Sequence, residues 1–97
     1  MTAYELAEQL LIKGVGTITD YRGHMWSFRL QNGIMLLYNN TLDMIGQFRA
    51  QRNKDIVRRT IVRACAFLEL EDLAYDLGIT QAEMKHYLCE ETTKRLG

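Results

Sequence analysis

Val15 to Asn39 reads VGTITDYRGHMWSFRLQNGIMLLYN, and the rhythm of this stretch decides the fold class. β-Forming residues dominate three runs, GTITDYR, MWSFRL and IMLLYN, separated by Arg22-Gly23-His24 and by Gln31-Asn32-Gly33. Asn-Gly is a strong hairpin signal, because both residues tolerate the positive φ of a type I′ turn. The expected result is a three-stranded antiparallel meander. Trp26, Phe28 and Leu30 alternate with Met25, Ser27 and Arg29, so the middle strand has an apolar face that other elements must cover. The aromatics Tyr21, Trp26, Phe28 and Tyr38 could in principle stack bases, but on a small sheet they read as core.

Working outward, the period changes on both sides. Upstream, Thr2 and Glu5 form a capping box, and Ala3, Ala7, Leu10 and Leu11 recur at helical spacing up to Gly14, a natural C-cap. A first helix over Ala3 to Lys13 follows. Downstream, Asn39-Asn40-Thr41 ends the sheet, and Thr41 is placed to cap a helix through Phe48, with Leu42, Ile45 and Phe48 inward. Another helix runs from Ile56 to about Phe67 with Val57, Ile61, Ala64, Cys65 and Leu68 on one stripe. Between them Asn53 favours a break and a new cap, although one continuous helix over Arg49 to Lys54 is also open. The expected fold is α+β: an N-terminal helix, a three-stranded meander, then a helical half.

The chain has 97 residues, enough for one small domain with a single core. Residues 1–40 supply the helix and meander, and 41–97 the helical part. No apolar run approaches a bilayer span, and no basic leader precedes the apolar residues of the first helix, so a cytoplasmic protein away from membranes is expected. Cys65 and Cys89 lack CxxC spacing and read as free thiols. Together with His24 and His86 they match no short zinc motif, so no metal and no cofactor is expected. General acid-base work commonly uses His, and neither histidine has a Ser or Cys neighbour in a recognisable motif. Gly14-Val15-Gly16 lacks the Lys of a phosphate loop. The expectation is a non-enzyme.

Leu70 to Leu88, LEDLAYDLGITQAEMKHYL, reads as two helices joined by a tight turn. Ala74 is small where the helices must approach, and Leu73 and Leu77 flank it as core. Gly78 takes the turn, Ile79 is its buried residue, and Thr80 with Glu83 forms a capping box for a last helix from Gln81 to about Arg95. Met84, Tyr87 and Leu88 give that helix its inward face. This segment resembles the helix-turn-helix motif of DNA-binding proteins, here spanning 69–95. The resemblance implies that the second helix enters the major groove of double-stranded DNA, presenting Thr80, Gln81, Glu83, Lys85 and His86, with Thr80, Gln81, Lys85 and His86 as its DNA contacts. Gln81 suits adenine, while Lys85 and His86 suit phosphate. Such proteins commonly act as dimers, and edge strands would offer a homodimer route.

Charge adds a second reading. Twelve bases balance twelve acids, which is unusual for a chain that holds a phosphate backbone. The charges are segregated. Between Met44 and Arg63 lie six bases, including Arg58, Arg59 and Arg63, against Asp55 alone. These three arginines could grip flanking phosphates. Glu69, Glu71, Asp72 and Asp76 follow without a base; the first three suit the dipole in the first turn of the first motif helix but would repel phosphate there. The alternative is a compact protein-binding module, of the kind a phage or plasmid inhibitor uses on a host protein or nucleoprotein complex, with those four acids as contacts.

Overall fold

The computed structural model describes residues 1–87. Its order is α1 (Ala3–Lys13), β1 (Val15–Thr19), β2 (Met25–Gln31), β3 (Ile34–Tyr38), β4 (Met44–Arg49), α2 (Lys54–Phe67) and α3 (Glu71–Asp76), followed by a helical segment at 81–87 that we call α4. The class is α+β, with four strands where three were expected. The rest of the last helix expected to reach Arg95, with Leu88 and Cys89, lies outside the described residues.

Each boundary has a local cause. The capping box at α1 forms in full: the Thr2 side chain accepts from the Glu5 amide, and Glu5 accepts from the Thr2 amide, both at 3.1 Å. Asn32 and Gly33 take φ of 52° and 74° between β2 and β3, as a two-residue type I′ hairpin requires. Asn53 caps α2 by accepting from the amides of Asp55 and Ile56, so the chain breaks before Lys54. A continuous helix from residue 49 is ruled out.

The fourth strand corrects the helix expected over Thr41 to Phe48. The meander runs β1-β2-β3-β4, every pair antiparallel. Leu37 pairs with Gly46 and Tyr38 with Met44, so Ile45 is the extra residue of a bulge and period-two alternation is lost. Leu42, expected inward, is 66% exposed in the preceding turn, at a φ of 63°. Gly46 costs a helix about 1 kcal/mol relative to Ala. In the strand it has a use: a Cβ there would lie 2.7 Å from the Phe48 ring and 3.1 Å from Leu68 Cδ1.

One face of the sheet is covered. Ile18, Phe28, Leu30, Met35 and Leu37 point to the same buried cluster as Leu6, Ala7 and Leu10 of α1 and Val57, Ile61 and Cys65 of α2. Leu6, absent from the expected stripe, is fully buried, whereas Leu11 is only partly so. Leu73, Ala74, Leu77 and Ile79 join the cluster from the C-terminal side. The Ala3 amide, one of the orphan donors at the start of α1, donates to the Leu77 carbonyl at 3.0 Å. α1 is thereby clipped to the end of α3. Trp26 and Phe28 also face inward and Tyr21 sits in the β1–β2 loop, so the four aromatics do not form a stacking platform.

Candidate nucleic-acid interface

α2 ends at Leu68 and Glu69, which adopts a φ of 57°. The Glu69 amide donates to Ala66 O and the Leu70 amide to Cys65 O, returning the chain sharply into α3. α3 ends through Gly78, at a φ of 72°, whose amide donates to Tyr75 O while the Ile79 amide donates to Ala74 O. Thr80 then caps α4, its hydroxyl accepting from the Glu83 amide at 3.1 Å. Only half of the expected second capping box forms at Thr80, because the Glu83 carboxylate is drawn to Arg58 instead.

α4 packs through Met84, 9% exposed, and through half-buried Tyr87. Thr80, Gln81, Lys85 and His86 are all exposed, but Gln81 borders the groove beside Glu71 and His86 the one beside Arg59, so the residues nominated for base and phosphate contact are accessible without sharing one side. His86 also meets Tyr87 edge-on, with ring centroids 5.4 Å apart.

The three arginines divide. Arg58 Nη2 lies 3.3 and 3.4 Å from the Glu83 carboxylate oxygens, and its guanidinium stands 5.3 Å from the Tyr4 ring centroid. It bridges α2, α1 and α4, and its charge is largely spent within the molecule. Arg59 is exposed and, with Ala82 and His86, lines an open groove between α2 and α4. Arg63 is half-buried and does not line that groove.

The acids divide as well. Tyr21 donates its amide to Asp76 Oδ2 and its hydroxyl to Asp72 Oδ1, both at 2.7 Å, and Arg22 Nη1 lies 3.3 Å from Asp72 Oδ2. The Tyr21 and Tyr75 rings meet edge-on at 5.8 Å. Asp72 and Asp76 thus hold the β1–β2 loop, while Glu69 and Glu71 stay exposed. Gln81 shares a shallow groove with Glu71, Asp72 and Tyr75, so α4 stands between an acidic side and a basic one. The hydrogen bond to Asp72, together with burial, raises the Tyr21 phenol above its ordinary range.

Asp20 organises that loop, and the sequence reading passed over it. Its Oδ1 accepts from the amides of Arg22 and His24 at 2.9 and 3.0 Å, and its Oδ2 from Trp26 Nε1 at 3.0 Å. His24 Nδ1 lies 3.8 Å away. Burial pushes this carboxyl up, but the donors from Trp26, His24 and Arg22 outweigh it and hold it below the usual carboxylate range. An acid two and four residues before the amides it receives is the spacing of an Asx turn, the one cue that could have found it.

No group of three or more His, Cys, Asp or Glu gathers to hold a metal among the described residues. Cys65 is free and fully buried, and burial pushes its thiol up to about 12. No helix among the described residues is long and apolar enough to cross a membrane. No protein-family model, no curated protein and no solved structure matches the chain.

Proposed function

We propose that the protein is a small DNA-binding regulator of the helix-turn-helix type, with α3 and α4 as its two motif helices. The observation that carries this reading is the exposure of Thr80, Gln81, Lys85 and His86 at α4, which Met84 fastens to the core. A helix presented this way can enter a major groove by its N-terminal turn. The upstream acids oppose phosphate less than their number suggests, because Asp72 is met by Arg22 and Tyr21, and Asp76 by the Tyr21 amide. Gln81 reads bases, Lys85 and His86 meet phosphates, and Arg59 holds the flanking backbone across the groove it shares with His86. Arg58, paired with Glu83, contributes mainly by fixing α4 on α2.

The test is retention of pooled genomic DNA fragments at two salt concentrations. Binding should fall with salt. Gln81→Ala should relax sequence preference, and Arg59→Ala should weaken all sequences alike and flatten the log–log salt slope by about one. No retention at low salt refutes the proposal.

The alternative, a protein-docking module, rests on Glu69 and Glu71, the two exposed acids of the four. Reversing both charges should abolish capture of the protein partner on that reading and leave DNA retention intact or improved on the first.

A further inference from the structure

The other face of the sheet is covered by nothing among the described residues. Its central rows pair Thr17, Ser27, Tyr38 and Met44 in one line and Val15, Arg29, Leu36 and Gln47 in the next. Large apolar groups stand open on it: Val15 is 45% exposed, Met44 48% and Leu42 66%. Between β1, β2 and β3 this face opens into a groove of about 440 Å³, where Val15 and Leu42 flank Arg29, Tyr38 and the hydroxyls of Thr17 and Ser27.

Two further observations bear on what it receives. The outward strand positions carry Arg29 and Arg49 and no carboxylate, and neither guanidinium has an ion-pair partner among the described residues. Leu42 is held in the left-handed region by a dense set of bonds. Asn39 Oδ1 accepts from Thr41 N, Thr41 Oγ1 and Asp43 N, and the Leu42 amide donates to Asn39 O. A branched side chain kept at positive φ and pushed into solvent is a costly choice where Gly or Asn would serve.

We propose that this face, centred on the Arg29, Tyr38 and Leu42 groove, docks an acidic, apolar segment of another protein. A partner carboxylate meets Arg29 in a bidentate pair and an apolar side chain fills the space between Val15 and Leu42. The charge distribution argues against a second copy, because a two-fold face-to-face pairing sets arginines against arginines with no acid on the strands to compensate. The aromatic content argues against a single nucleic-acid strand, since Tyr38 is the one aromatic on these strands that faces outward, and strand binders stack successive bases on several rings. This surface is separate from α4.

The test is a random-peptide display selection on the immobilised full chain, followed by anisotropy titration of the enriched peptides. Peptides combining Asp or Glu with apolar residues should emerge. Arg29→Glu and, separately, Leu42→Asp should weaken them by roughly tenfold or more, with Arg29→Gln intermediate. Both positions are exposed, and thermal denaturation of each variant verifies its fold. An empty selection, basic peptides, or peptides that bind the variants like the parent overturn the proposal. So does a concentration-dependent dimer that Leu42→Asp dissociates, which makes a second copy the occupant, or oligothymidine binding that Tyr38→Ala removes.

Discussion

Gly78→Ala isolates the cost of the turn between α3 and α4. Gly78 sits at a φ of 72°, and a Cβ built there meets no atom within 4 Å, so the substitution strains the backbone without crowding a neighbour. The left-handed conformation costs an L residue about 1–2 kcal/mol. Alanine's stiffer unfolded chain returns about 0.4–1 kcal/mol, leaving a net loss of about 1 kcal/mol. For a domain of this size that lowers Tm by roughly 4–8 °C and the urea midpoint by roughly 0.3–1 M, read by Trp26 fluorescence and calorimetry. Gly78→Asn should recover much of the loss, because Asn tolerates this region. Gly16 supplies the contrast, since its φ is not positive and a Cβ there would lie 2.7 Å from Cδ1 of the fully buried Leu6. Gly16→Ala should cost roughly 1–3 kcal/mol through overpacking, and Asn should be worse. If Gly78→Ala is neutral, or Gly78→Asn is as damaging as Ala, the turn is not held by its left-handed residue.

The opposite sign is expected at Glu69, where φ is 57°: Glu69→Gly should stabilise by up to about 1 kcal/mol in urea titrations. Asp20 has its folded pKa lowered, so its contribution is present above the unfolded carboxylate range and is lost as pH falls below about 4 and through the folded value. Asp20→Asn, which turns an amide donor or a weaker acceptor toward Trp26 Nε1, should lower Tm at neutral pH and shrink the gap from the parent in acid. The Cys65 thiol, pushed up to about 12 by burial, should resist alkylation at neutral pH until the chain unfolds, with peptide mass analysis locating the label. Its raised value also means that the stability it contributes erodes as pH rises above about 9.

The α+β order, the first helix, the Asn-Gly hairpin and the α2 stripe were legible because each rests on neighbours within a turn or two. β4 was not. Leu42, Ile45 and Phe48 stand three apart in sequence, which imitates a helical stripe; the bulge at Ile45 interrupts the alternation that marks a strand, and only pairing with the open edge of β3 determines otherwise. Among the candidate site residues, those on α4 could be placed because Gly78 and Thr80 punctuate the turn locally. The ties that sort the charges are distant in sequence: Arg58 with Glu83, and Tyr21 and Arg22 with Asp72. No local pattern reveals that these groups are already spoken for, so the basic and acidic blocks read as larger free surfaces than they are.

The bond from the Ala3 amide to the Leu77 carbonyl joins parts of the chain that are made far apart in time. At roughly 5–20 residues per second, a ribosome takes about 4–15 s to travel from the first of these residues to the second. During that interval the nascent first helix lacks its clip, and the Ala3 amide stays without its native acceptor. Completion of the native state is therefore a late event in synthesis, and a chain stopped before residue 77 cannot close this bond.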